Sequence, residues 1–213
     1  MCGRFLITSH FEAMSDLFGA VAGELGPDTE RLNVSPTQHI PVVTSHDGER
    51  VIEPMRWGFL PHWYKAPNAG PLLINARSET IAEKPAFRSA VRERRCLIPT
   101  NGFYEWKGEK GAKTPYVIAK PEGDILVLAG VWQDWTQGNE LMRTCAIVTC
   151  AANDTLSHVH HRMPVVIEPD DFGLWLGEDG HGAALLMVPA DDDLLEVEEA
   201  DERTREILKR RGG

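Results

Sequence analysis

Eight short runs of β-forming residues, most of them closed by turn residues, constrain the fold of this chain more than any other feature. They lie at 40–44, 51–59, 72–76, 95–98, 116–120, 125–132, 143–150 and 164–167. Helical signals are fewer. Ser9 and Glu12 have the spacing of a capping box, and Phe11, Met14, Leu17, Phe18 and Val21 recur at helical spacing, so a first helix is expected over 9–24. The Pro- and Gly-containing passage at 26–28 should end it. Pro85 opens a second expected helix over 85–94, which would set Arg88, Arg92 and Arg95 on one face. A short helix is expected from Pro169 and a charged one over 193–211. Many short strands and few helices predict an α+β domain dominated by a curled antiparallel sheet flanked by short helices.

Composition narrows the class. The 42% hydrophobic and 25% charged fractions are those of a soluble globular chain and exclude a disordered, collagen-like or disulfide-scaffold protein. No apolar run approaches the roughly 20 residues needed to cross a bilayer, and the start, MCGRFLITSH, lacks the apolar core of an export signal. A cytoplasmic protein without a membrane partner is expected, as a monomer. The net charge of −10 argues against a uniformly nucleic-acid-binding surface, but it is unevenly spread. Residues 190–213 carry nine acidic and five basic side chains, whereas 77–113 carry nine basic against five Glu. The local field, not the total, steers an anion. The expected organisation is a domain over 1–189 followed by an acidic, charged tail over 190–213.

Cys2, Cys96, Cys145 and Cys150 have no framework spacing and read as reduced thiols, the last three as buried structural ones. Cys2 is chemically different because of its place. Removal of Met1 would leave an α-amine and a thiol on one residue, and with an amine pKa of about 7.7–8.0 a useful fraction is neutral at pH 7. Such a 1,2-aminothiol condenses with an aldehyde to an imine, which the thiol closes to a five-membered thiazolidine. The amine can also serve as base for its own side chain. A chance Cys after the initiator is the plainer alternative.

Other candidates are local. Glu105 sits among Phe103, Tyr104 and Trp106, where apolar surroundings would bring a carboxyl into the range useful for acid–base work; the alternative is a strand position facing water. In HVHHRMP, His160 with Arg162 suits a proton-transferring imidazole beside an anion-binding guanidinium better than a metal site, since no second ligand cluster exists. No metal or cofactor is expected. Asn75 and Arg77 would share one side of an extended strand, placing an amide and a phosphate-gripping fork together. Trp63 and Tyr64 lie in a turn-rich stretch, where aromatics either stack on unpaired bases or seal a small core. The Arg88/Arg92/Arg95 stripe reads as a solvated face or as an anion site.

These segments, taken together, resemble the SRAP family, the SOS-response-associated peptidases that shield abasic DNA by covalent attachment. The matching pieces are MCGRF, NVSP at Asn33–Pro36, MRWGFLPHW, INARSET, RRCLIPTNGFYEWK, AIVTCAAN and HxRMP at His160–Pro164, in family order over 1–168. The resemblance implies a compact α+β fold with a barrel-like antiparallel sheet. It implies that Cys2 is the nucleophile toward the open-chain sugar aldehyde, that Asn75 orients it, that Glu105 is the acid–base group, and that His160 assists ring opening, Schiff-base handling and reversal. Arg4, Arg77 and Arg162 would hold the DNA backbone, and Asn33, Pro36, Trp63 and Tyr64 would flank the strand, with Tyr64 standing where a relative has Trp. The implied partner is single-stranded DNA containing abasic sites, with the protein joining the nucleoid on damage. The C-terminal ADDDLLEVEEADERTREILKRRGG departs from the family pattern, so the last sheet strand is expected to be absent or displaced. Two other functions fit the same residues: a thiol peptidase or amidohydrolase using Cys2, Glu105 and His160, which would include self-removal of Met1, and a non-covalent reader of modified DNA.

Overall fold

The computed structural model describes residues 2–210 apart from 24, 26, 27, 29 and 110. The described strands are β1 (Phe5–Ile7), β2 (Val21–Ala22), β3 (Arg31–Val34), β4 (His39–His46), β5 (Glu49–Trp57), β6 (Asn75–Arg77), β7 (Arg95–Thr100), β8 (Gly102–Lys107), β9 (Thr114–Ala119), β10 (Leu126–Gln137), β11 (Glu140–Ala151), β12 (Arg162–Pro164) and β13 (Glu196–Glu199). The helices are α1 (Phe11–Phe18), α2 (Ala90–Glu93), α3 (Asp154–Ser157), α4 (Phe172–Leu176) and α5 (Glu202–Lys209).

Strands β5, β4, β7, β10 and β11 pair in that order, all antiparallel. The ring closes where β11 meets β5 in parallel, Thr144 beside Arg56 and Cys145 beside Trp57. The result is a closed five-stranded barrel within a sheet-dominated α+β domain, as the run pattern predicts. Closure removes the free edges that an open sheet would expose. Residues Leu126–Gln133 of β10 are all buried, so this strand reads as a continuous apolar run and not as an alternating one. Gly130 faces Ile147 on one neighbour and Cys96 on the other. A Cβ there would lie 2.8 Å from the Cys96 sulfur, and only glycine lets the three strands approach so closely.

A second antiparallel sheet, in the order β13-β9-β8-β1-β3, lies beside the barrel. Phe5 of β1 packs on Trp57 of the barrel with ring centroids 4.8 Å apart. Strand β13 pairs with β9 over four positions, so the C-terminal segment supplies an outer strand, and of the expected absence or displacement of a last strand the absence does not occur. Helix α5 follows, with the Asp201 side chain accepting from the Thr204 N–H at 2.7 Å.

Several local expectations are corrected. The first helix ends at Phe18, because Gly19 takes a left-handed cap and Val21–Ala22 pairs with Val51–Ile52. The Ser9–Glu12 box is not made: Ser9 Oγ accepts from Asn101, and Asp28 caps the Phe11 N–H at 3.1 Å. The expected end of that helix, Glu24 and Gly26–Pro27, lies outside the described residues. The expected 85–94 helix is a series of helical turns ending in α2. Arg88 and Arg92 are exposed there, but Arg95 leaves their stripe, because its guanidinium caps the Val91 and Arg92 carbonyls at 2.9 Å and donates to Trp175. The charged C-terminal helix occupies only 202–209 of the expected span, with Arg211 outside the described residues.

Candidate active site

The seam between the second sheet and the barrel gathers the chemistry. Residues 2–4 run beside β8, where the Tyr104 N–H donates to the Arg4 carbonyl at 2.9 Å and Phe5 pairs with Phe103. From the barrel side, β6 lies parallel to β11 with Asn75 beside Ile147 and Arg77 beside Thr149. The two sides meet at Cys2, whose carbonyl accepts from Asn75 Nδ2 at 3.0 Å. The Cys2 side chain is buried, with its sulfur 4.0 Å from the Arg4 carbonyl oxygen.

Glu105 is 3% exposed, which overturns the alternative of a strand position facing water. Residues Gly102–Glu105 are all buried, because β8 is covered on both faces. Burial pushes the Glu105 carboxyl above the usual carboxylate range. Burial, reinforced by the negative charge of Glu105, pushes the Cys2 thiol well above the ordinary thiol range. The two groups are therefore electrostatic neighbours, and the thiol is held protonated at neutral pH.

His160 precedes β12, which pairs with β11, and it shares the charge of Lys113 with Glu105. Cross-strand Tyr116, opposite Glu105, meets the His158 ring edge-on at 6.3 Å. The half-buried His160 has Nδ1 3.0 Å from the Arg162 backbone N–H, from which it accepts in one tautomer, and 3.2 Å from the Arg162 carbonyl, to which it donates in the other. Burial lowers its pKa, with the neighbouring charges of His161 and Lys113 acting in the same direction, so the neutral form dominates at pH 7. Lys113, counted from sequence only toward the local charge, also acts on Glu105. Its position on the turn leading into β9 gave no motif by which to single it out.

Trp63, Tyr64, Asn75 and Arg77 line one groove of about 540 Å³, together with Lys84 and Pro85. The loop that carries the aromatics is fastened: Trp135 Nε1 donates to the Tyr64 carbonyl at 2.9 Å, and the Tyr64 hydroxyl donates to Pro71 at 3.2 Å. Trp63 is 47% exposed, whereas Tyr64 is half-buried against Gly70. Asn75 thus touches both the groove and Cys2, and its Oδ1 is buried with no hydrogen-bond partner among the described residues.

The other expected contacts lie apart. Arg4 donates to Asn33 Oδ1 at 2.6 Å, and Asn33 Nδ2 donates to the Ile207 and Arg210 carbonyls at 3.0 Å, which ties the end of α5 to β3. Pro36 stands in the turn between β3 and β4. Arg162 is buried and committed. Its guanidinium forks onto Glu79 at 2.5 and 3.0 Å and donates to the Thr149 carbonyl at 2.7 Å. Glu79 stands two residues after Arg77 in INARSET but in the turn that follows β6, so strand alternation gives no signal for it. No group of three or more His, Cys, Asp or Glu among the described residues is arranged to hold a metal.

Comparison with known proteins adds identity to this geometry. The family model described as SOS response associated peptidase (SRAP) matches residues 1–206. "Abasic site processing protein YoaM" of Bacillus subtilis (strain 168) is 35% identical over 207 residues, covering 92% of this chain and 89% of the relative. "Abasic site processing protein YedK" of Escherichia coli (strain K12) is 28% identical over 189 residues, covering 85% and 82%. Among solved structures, a Bacteroides thetaiotaomicron protein superposes with a TM-score of 0.85 over 99% of this chain and 96% of its own, and at 24% identity it speaks to the fold alone.

Proposed function

The chain belongs to the SOS response associated peptidase (SRAP) family, and from that premise we propose that it processes abasic sites in DNA by attaching Cys2 covalently to the ring-opened sugar of single-stranded DNA. The observation that carries this reading is the double role of Asn75, which lines the groove with Trp63 and Arg77 and also clamps the carbonyl of Cys2. A strand lying in that groove would present its sugar to the one residue able to offer both an amine and a thiol.

The chemistry follows from the site. Hydrolysis of the Met1–Cys2 peptide bond, by an aminopeptidase or by the site itself, consumes one water and frees the α-amine. The amine adds to the sugar aldehyde, and loss of one water gives the imine. The thiol then adds across the C=N bond: the sulfur bonds to carbon, and the thiol proton ends on nitrogen, closing the thiazolidine. A carboxyl held above its ordinary range, as Glu105 is, supplies the proton for dehydration. Neutral His160, its ring oriented by the Arg162 backbone, suits ring opening and the reverse step. The buried Asn75 Oδ1 is an acceptor ready for an N–H or O–H of the amine or sugar. A lyase outcome would arise from the imine, by elimination before the thiol closes.

The state of the thiol in the chain that retains Met1 does not favour a thiol peptidase. Such enzymes work through a thiolate of depressed pKa, whereas Cys2 is pushed the other way by burial and Glu105. An amine-first sequence needs no free thiolate. The test is a denaturing gel of processed protein with an abasic oligonucleotide, run beside protein that retains Met1. A slow band from the processed form alone supports the proposal. Binding without a covalent band, or turnover of peptide amides without a DNA adduct, overturns it.

A further inference from the structure

We propose that the DNA strand held in the groove continues past it onto a cationic ridge formed by Lys84, Arg88 and Arg92, which adds phosphate contacts on one side of the lesion. The inference rests on the groove reading above and extends it to a surface outside the reacting centre. Lys84 lines the groove and is its junction with the ridge. From there Arg88 and Arg92 follow at four-residue steps through turns in which the Arg88 N–H bonds to the Lys84 carbonyl and the Val91 N–H to that of Phe87. Four residues of helix advance about 6 Å and return to the same face. The opposite face is apolar, with Phe87, Ala90 and Val91 buried, so the three cations are held outward by packing.

Charge and partnering single this ridge out. The chain carries −10 overall, yet no acidic residue occurs between Lys84 and Arg92. Most basic side chains elsewhere are engaged: Arg50 with Glu178, Arg94 with Glu93, Lys120 with Glu168, Arg162 with Glu79. Lys84, Arg88 and Arg92 are exposed and make no side-chain ion pair or hydrogen bond among the described residues. A paired arginine must give up its carboxylate before it can take a phosphate; these need give up only water. The ridge ends at a cavity of about 550 Å³ lined by Arg92, Arg95 and His181. A polyanion running out of the groove fits it by charge and by continuity, and the strand that carries the lesion is that polyanion.

The experiment compares wild type with Arg88→Ala/Arg92→Ala on oligonucleotides carrying a tetrahydrofuran abasic analogue, which cannot form an imine. One oligonucleotide is trimmed to the groove, and others are extended as single strand on the 5′ or the 3′ side. On the extended oligonucleotide of one polarity, loss of two phosphate contacts should flatten the log–log salt slope by about 1.4, or about 25-fold weaker binding at 0.1 M salt if the curves meet at 1 M. On the trimmed one the two proteins should bind alike. Arg88→Lys/Arg92→Lys should restore most of the slope, and all variants should melt like wild type. With a reactive abasic site at saturation, the crosslinking rate should be unchanged. Equal affinity for trimmed and extended DNA in wild type overturns the ridge, as does an equal loss on both lengths or a loss that needs a duplex extension. Wild type that binds extended DNA through the ridge but crosslinks none of the reactive oligonucleotides would overturn the covalent reading and leave the ridge supported.

Discussion

A single buried carboxyl sets the pH behaviour of the site. Burial raises Glu105 above the value it has in the unfolded chain, so the folded state holds that proton more tightly. The stability this confers is full below the unfolded value and is lost as pH rises through the folded one. Glu105→Gln stays neutral throughout and avoids that loss. The variant should melt at or above wild type at pH 7, while single-turnover crosslinking slows by about 10²–10⁴-fold. Melting below wild type with an unaltered rate would make Glu105 a packing group. Arginine roles divide at the same scale. Arg77 is exposed on the groove and should carry one phosphate, so Arg77→Ala should flatten the salt slope by about 0.7. Arg162 is 8% exposed and spends its guanidinium on Glu79 and Thr149. Arg162→Ala should therefore lower the melting temperature and disturb His160 while moving the slope less than Arg77→Ala. Slope measurements beside thermal melts separate the two, and a larger slope change for Arg162 would place it on the DNA. The position of Cys2 allowed both the aminothiol reading and a chance Cys, and the commitment of Arg162 was not legible, because Glu79 falls in the turn after β6, where strand alternation no longer says which way a side chain faces.

Among the elements, the barrel and the sheet that holds the site differ in how readable they are. Strands β4, β7, β10 and β11, unlike β5 with its interleaved Glu49, Arg50, Glu53 and Arg56, announce themselves by long buried runs, since a barrel wall packed on both faces needs little polar alternation. Strands β1, β3, β8 and β13 do not. β1 and β3 are three and four residues long, β13 is EVEE, and β8 combines four consecutive buried positions with a charged one among them. The segments that define the chemistry are those whose strand pattern is broken by it. One glycine fixes how this sheet sits. Gly102 has φ +155, and a Cβ there would lie 2.7 Å from the Ile118 carbonyl oxygen and 3.2 Å from Leu6. Gly102→Ala should cost about 1–3 kcal/mol in backbone strain alone, or about 2–4 °C of melting temperature for each kcal/mol in a chain this size. It should also slow crosslinking, because the β1–β8 pairing holds Cys2 against Glu105. Wild-type stability and rate in Gly102→Ala would show that the seam tolerates slippage.

At the scale of the whole molecule, the barrel closes on itself while Cys2, the proposed nucleophile, sits at the start of the chain, outside the ring. The fold class follows from strand-rich patterning, but closure itself depends on two parallel pairs between β11 and β5, which lie about 90 residues apart and leave no local signal. Overall charge misleads in the same way: −10 is a sum over the chain, in which 77–113, with nine basic residues against five Glu, runs the other way. Among the described residues no helix is long and apolar enough to cross a membrane. The proposed function turns on a bond between Cys2 and an abasic sugar. The direct measurement is intact mass, followed by peptide mapping, of processed wild type and Cys2→Ser after reaction with an abasic single strand, with and without borohydride. The account predicts a heat-stable wild-type adduct equal to protein plus oligonucleotide less one water, mapped to Cys2. It predicts that Cys2→Ser, which keeps the amine but not the thiol, gives an adduct that survives denaturation only after borohydride reduction. A heat-stable adduct from Cys2→Ser without reductant, or a wild-type adduct mapped to a lysine, would contradict it.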